Sequence, residues 1–99
     1  MAIRIRRSSG NVFKDLGFPA EEAAHLLVRA DLMIQLEGIL KTRGLTQAKA
    51  AKLLGVSQPR VSDLVRGRID LFSIDTLVDM LARLGVSVTL RTKRSRRVA

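Results

Sequence analysis

Apolar residues recur every three or four positions through most of this chain, then every second position near its end. Over residues 20–43, Leu26, Leu27, Ala30, Met33, Ile34, Leu36, Ile39 and Leu40 follow helical spacing. They cover more than one face. A second surface is therefore expected to be buried, against residues 12–18 or against another subunit. Pro19 stands at the start of this helix, with Glu21 and Glu22 in its first turn. Lys41, Arg43 and Gly44 close it, as dipole and capping preferences favour. Thr46 is the expected cap of a short helix over 47–54, where small Ala48, Ala50 and Ala51 lead into Leu53 and Leu54. Gly55 stops it. Ser57 is placed to cap a further helix, with Pro59 in the first turn, where a missing N–H costs nothing. Val61, Leu64 and Val65 form the apolar stripe of that helix, and Gly67 closes it.

After a loop with buried anchors at Ile69, Leu71 and Phe72, Ser73 caps a last helix over 74–84. Its core stripe is Leu77, Val78, Leu81 and Leu84, and Gly85 ends it. The period then changes. Val86, Val88 and Leu90 alternate with Ser87, Thr89 and Arg91, the pattern of a half-buried strand within 85–92. A lone strand leaves its ladder unmade. Its partner is either the Ile3–Ile5 segment or the same strand of a second copy. The second option, a two-fold dimer using Val86, Val88 and Leu90, is the favoured expectation. Residues 1–11 read as a flexible basic tail, with a short strand or a groove-following arm as alternatives. Residues 93–99 read as a second flexible basic tail. Residues 12–19 hold Val12, Phe13, Leu16 and Phe18 between Gly17 and Pro19. They are expected to pack on the bundle, an exposed docking patch being the alternative.

The spacing within 46–68 is specific. Two helices crossing near a right angle touch beside the turn, so the crossing point must be small, here Ala51. The turn favours a residue that tolerates positive φ, here Gly55. The second helix needs a buried aliphatic pin, here Val61. The stretch resembles the DNA-binding core of the phage repressor/Cro (Xre-like) helix-turn-helix family. The expected fold is mainly α, a small repressor-like helix-turn-helix bundle with a C-terminal β-strand pairing across a dimer. The DNA-binding domain spans 12–92, with its motif at 46–68.

Composition agrees with a small bundle. In 99 residues there is no Trp, Tyr or Cys, so no disulfide or thiolate metal site is available, and no aromatic platform for stacking bases. That last point counts against an RNA- or ribosome-associated role. The formal charge is +9, which favours a polyanionic partner. Much of the excess lies near the ends, yet 44–69 still sets Lys49, Lys52, Arg60, Arg66 and Arg68 against Asp63. No apolar run approaches a membrane span, and no secretory signal is visible, so the expected location is the cytoplasm, on the nucleoid. An enzyme is not expected. There is no glycine-rich phosphate loop and no HExxH pairing, and His25 stands alone. Asp75 and Asp79 look like helix-dipole partners. No cofactor or metal is implied.

On the second helix, opposite Val61, Leu64 and Val65, lie Gln58, Pro59, Ser62, Asp63 and Arg66, with Ser57 at the start and Arg60 near the edge. Gln58 could bond adenine, Arg60 guanine, and Asp63 could accept from cytosine N4 in the major groove. Asp63 could instead pair with a nearby arginine. In the family resembled, the glutamine opening the first helix contacts phosphate and braces the first glutamine of the recognition helix. Gln47 and Gln58 occupy those places. Thr46, Lys49, Arg66 and Arg68 should then face phosphates, which position without specifying sequence. Pro59 departs from the better-known repressors, which often place a polar base reader there, so their base code does not transfer. The resemblance extends over residues 11–91, where the flanks are similar to the HigA-type antitoxin subgroup. It implies a homodimer that binds double-stranded operator DNA as a repressor, with a RelE/HigB-like toxin nuclease as partner. A stand-alone phage-type repressor, or a protein acting mainly by sequestering a toxin, are the alternatives.

Overall fold

The computed structural model of this chain describes residues 2–5 and 12–92. In order these form strand β1 (Ala2–Ile5), a single-turn helix α1 (Val12–Asp15), and the long helix α2 (Ala20–Thr42). Helices α3 (Gln47–Leu54) and α4 (Gln58–Val65) follow, then a 3₁₀ turn (Ile69–Leu71), helix α5 (Ile74–Arg83) and strand β2 (Ser87–Leu90). The mainly helical bundle with a C-terminal strand is the expected class.

Local chemistry sets where the helices begin and end. Thr46, Ser57 and Ser73 each accept the backbone N–H three residues on, at 3.2, 3.3 and 3.1 Å. Each bond satisfies a donor that helix geometry leaves orphaned. Helix α2 starts at Pro19 without a side-chain cap, and Glu21 and Glu22 lie in its first turn. Helices α2 to α5 close alike, and α1 does the same through Gly17 and Phe18. The N–H groups of Gly44, Gly55, Gly67 and Gly85 return to the carbonyls of Lys41, Lys52, Leu64 and Ala82. Those of Leu45, Val56, Arg68 and Val86 return to Leu40, Ala51, Asp63 and Leu81. This is the Schellman closure, in which the next residue often packs back on the helix it ends. Leu40 with Leu45, and Leu81 with Val86, do so inside the core or against it.

One core lies between α2, α3, α4 and α5. It holds Leu32, Met33, Leu36 and Leu40; Ala50, Ala51 and Leu54; Val61 and Leu64; and Leu77, Met80 and Leu81, with Phe72 and Val86 added. Each fully buried side chain of Leu size contributes roughly 1.5–3 kcal/mol relative to exposure. Two arginines brace this frame. Arg29 Nη1 donates to the Ile69 carbonyl at 3.3 Å, and Arg43 Nη2 to the Leu84 carbonyl at 2.9 Å. The second bond places a cation at the C-terminus of α5, where the helix dipole favours it. On α2, partial burial pushes the Asp31 carboxyl above its ordinary value of 3.8.

Several expectations are corrected. Ile34, counted in the apolar face of the long helix, is 65% exposed. Met80, left out of the last helix's stripe, is buried, while Val78 is half-buried. Val65 is 41% exposed. Helix α4 is little over two turns long, and Val61 and Leu64 already point at the core; Val65 lies about 100° further round. Residues 12–19 do contact α2, and the rings of Phe13 and Phe18 meet edge to face at 6.2 Å. Val12, Leu16 and Phe18 nevertheless remain exposed.

The pairing of the last strand differs from the favoured expectation. β2 pairs in parallel with β1, Ile3 opposite Val88 and Ile5 opposite Leu90. Residues 2–5 are thus a strand rather than part of a flexible tail, and they fill one side of the β2 ladder within one chain. The parallel direction is possible because the whole helical bundle forms the crossover. The rest of the two expected tails, 6–11 and 93–99, lies outside the described residues. No helix among the described residues is long and apolar enough to cross a membrane.

Candidate nucleic-acid interface

Helices α3 and α4 meet through a turn built around Gly55, whose φ of +69° lies in the left-handed region. Only glycine adopts it without steric cost. The turn is crowded as well. A Cβ added to Gly55 would lie 2.8 Å from Arg83 Nη1, so the Arg83 guanidinium rests against the turn from α5. Ala51, the small residue at the crossing, is 7% exposed, and Val61 is 1% exposed.

Burying Val61 and Leu64 orients the rest of α4. Gln58, Pro59, Arg66 and, just beyond, Arg68 are exposed; Arg60, Ser62 and Asp63 are half-buried. At the start of α3, Thr46, Gln47 and Lys49 are exposed. Thr46 and Ser57 use one acceptor lone pair of each hydroxyl in capping, which leaves the O–H free to donate. The residues singled out in 46–68 thus combine five cations including Lys52, two amides and three hydroxyls, those of Thr46, Ser57 and Ser62.

At three residues the structure adds to the expectation. Gln47 borders a cleft of about 200 Å³ with Glu37, Lys41 and Val65. It makes no hydrogen bond to Gln58 among the described residues. Asp63 makes no ion pair among the described residues. Its carboxylate therefore remains available as an acceptor. Arg60 does not extend freely from the helix. Its Cζ lies 4.1 Å from the centroid of the Phe72 ring, a cation–π contact.

Of the strand residues assigned to a dimer, Val86 is 2% exposed and belongs to the protomer's own core. It is not available to a second copy. Val88 is half-buried, packed against that core, while Leu90 is 63% exposed. Arg83 and Phe72 were not singled out for the site. Arg83 lies 28 residues from Gly55 in sequence, and no local pattern marks the pair. Among the described residues no group of three or more His, Cys, Asp or Glu is placed to hold a metal ion.

A family profile described as a helix-turn-helix domain matches residues 12–93. Among solved structures, one described as an XRE family transcriptional regulator is similar at 31% identity and a TM-score of 0.69. The similarity covers 79% of this chain and 90% of that one. The chain belongs to the Xre-like helix-turn-helix family. No curated protein matches it. For this Xre-like chain the profile includes the α1 segment and β2 as well as the motif, so the flanks are part of the family's domain.

Proposed function

We propose that this Xre-like protein is a transcriptional regulator, a repressor that binds a specific double-stranded operator by placing α4 in the major groove. The single observation that carries this is the division of α4. Val61 and Leu64 are buried, so Gln58, Pro59, Ser62 and Arg66 lie on or near the face left to the outside. A major groove admits one helix, and such a face can read base edges there. Gln58 is assigned to adenine, Asp63 to cytosine N4, and Pro59 to apolar contact with a thymine methyl. Thr46, Lys49, Arg66 and Arg68 are assigned to phosphates, with Ser57 donating at the helix start. The working unit is a homodimer in the cytoplasm, on the nucleoid. Its recognition helices lie about one DNA turn, roughly 34 Å, apart. Exposed Leu90, beside half-buried Val88, supports β2 as part of that dimer surface.

Titrating the DNA upstream of the gene against random duplex tests the reading. Gln58→Ala should weaken operator binding by ~1–3 kcal/mol and relax one base position. Arg66→Ala should weaken both duplexes and lower the salt slope by about one. Equal affinity of the wild type for both duplexes would refute sequence-specific regulation. A monomer by light scattering at micromolar concentration would refute the dimer.

A second reading, the antitoxin role, is favoured by one observation. Val12, Leu16 and Phe18 are exposed together in the short segment before α2, as a protein-docking surface would be. A RelE/HigB-like toxin is the assigned partner. Co-expression with the product of the adjacent small gene should give a complex that Leu16→Glu disrupts without loss of DNA binding. Independent purification of the two proteins would refute it.

A further inference from the structure

Arg60 and Phe72 come from different elements and are held from both sides. The Phe72 ring is 1% exposed and fixed in the core. Arg60 is the third residue of α4, and its backbone N–H bonds the Ser57 cap at 3.3 Å. With both ends anchored, the guanidinium carbon lies 4.1 Å from the ring centroid. Cation–π attraction reaches to about 6 Å. The guanidinium makes no hydrogen bond among the described residues. The contact is made by the guanidinium carbon over the ring, and it commits none of the five N–H donors to a hydrogen bond. A half-buried cation is therefore held at the N-terminal end of α4 with all its donors uncommitted. In repressor-type helix-turn-helix proteins that end of the helix contacts base edges.

We propose that Phe72, outside the helix-turn-helix itself, is a positioning residue for sequence readout. It holds Arg60 in a fixed pose from which the guanidinium bonds one guanine at O6 and N7. This rests on α4 being the groove helix. A free arginine side chain must be frozen when it binds, whereas a stacked one is ordered beforehand. The same restraint keeps Arg60 from turning to a neighbouring phosphate, and so directs it to bases rather than backbone.

The test is selection from a random duplex pool, then competition with each single-base change of the selected site. Wild type, Phe72→Leu, Arg60→Lys and the double variant are compared, each with its melting temperature. Arg60→Lys keeps Phe72 and the positive charge and replaces the planar guanidinium by a point charge. The wild type should prefer guanine at one position. Arg60→Lys should lose that preference about tenfold. Phe72→Leu should lose it about threefold, at the same position. The double variant should be no worse than Arg60→Lys alone, and each loss should be larger on the selected duplex than on random duplex. A Phe72→Leu protein that melts earlier but keeps the base profile would overturn the proposal. So would Arg60→Lys retaining its guanine preference, or losses equal on selected and random duplexes. A wild type that enriches no sequence refutes the DNA-reading function itself. Variants that match a selective wild type refute only the role of Phe72.

Discussion

The motif at 46–68 and the segment at 12–19 are both rich in apolar residues, and the fold treats them in opposite ways. The motif buries Ala50, Ala51, Leu54, Val61 and Leu64. The segment leaves Val12, Leu16 and Phe18 exposed. The difference lies in the length of each helix and in its N-terminal cap, since α1 is also closed by Schellman bonds, from Gly17 and Phe18 to Lys14 and Phe13. α3 and α4 are capped at the start by Thr46 and Ser57 and closed at the end by Schellman bonds. With both ends set, the rotational phase of each helix is set too, and the apolar stripe can face only one way. α1 is a single turn of four residues. One turn is costly to nucleate and too short to present a stripe. Apolar content alone therefore does not decide burial; the element must also be long enough to turn a stripe toward the core.

The sharpest way to break that contrast is to truncate one leucine in each region. Leu64→Ala should cost about 2–5 kcal/mol in urea unfolding, because Leu64 is 1% exposed and its removal leaves a cavity. Leu16→Ala, at 69% exposure, should stay within about 0.5 kcal/mol. Similar losses at both sites would mean that the segment is as well packed as the motif.

Next in size are the turns. Gly44 and Gly55 share left-handed geometry, at φ +63° and +69°, but only Gly55 has a neighbour where a Cβ would go. Gly44→Ala should cost about 1 kcal/mol, and Gly55→Ala about 1–2 kcal/mol because Arg83 must move aside. Adding Arg83→Ala to Gly55→Ala should recover the difference. If the two single variants lose the same stability, the Arg83 contact adds nothing to the turn.

Removal of a cap should be smaller. Ser57→Ala and Thr46→Ala should each lower stability by about 1 kcal/mol. The Ser57 change should also weaken operator binding by loosening the start of α4, which is read from binding after correction for the folded fraction.

The smallest effect concerns Asp31. Burial raises its folded pKa above 3.8, so the folded state holds that proton more tightly than the unfolded chain. Its contribution is therefore greatest below the unfolded value and is lost as pH rises through the folded one. Asp31→Asn should make the protein slightly more stable near neutral pH. That gain should vanish below pH 3.8. A variant less stable than wild type at pH 7 would show that the ionised carboxylate has a favourable partner.

Most of the helical frame was legible in the sequence, because its signals are local. The bounds of α3 and α4 follow from Thr46, Gly55, Ser57 and Gly67, all adjacent to the helices they delimit. Long-range choices were less legible. Nothing within 85–92 distinguishes pairing with Ile3 and Ile5 from pairing with a second copy, and the protein uses the first. Val86 alternates correctly with Val88 and Leu90, but Schellman closure at Gly85 draws it into the core. Val65 fits a helical stripe that α4 is too short to bury. The Arg60–Phe72 contact joins two elements across the intervening loop, and no sequence period reports it. What the sequence conveyed well was where α4 begins and ends; which side chains are restrained on it required tertiary contacts.

The central claim is that the face around α4, and not the apolar segment before α2, receives the DNA. Backbone amide NMR during titration with a selected operator duplex tests it most directly. The expected result is that shifts concentrate at 46–49 and 57–68, with 12–18 unchanged. Shifts concentrated at Val12, Leu16 and Phe18, with α4 unmoved, would contradict it.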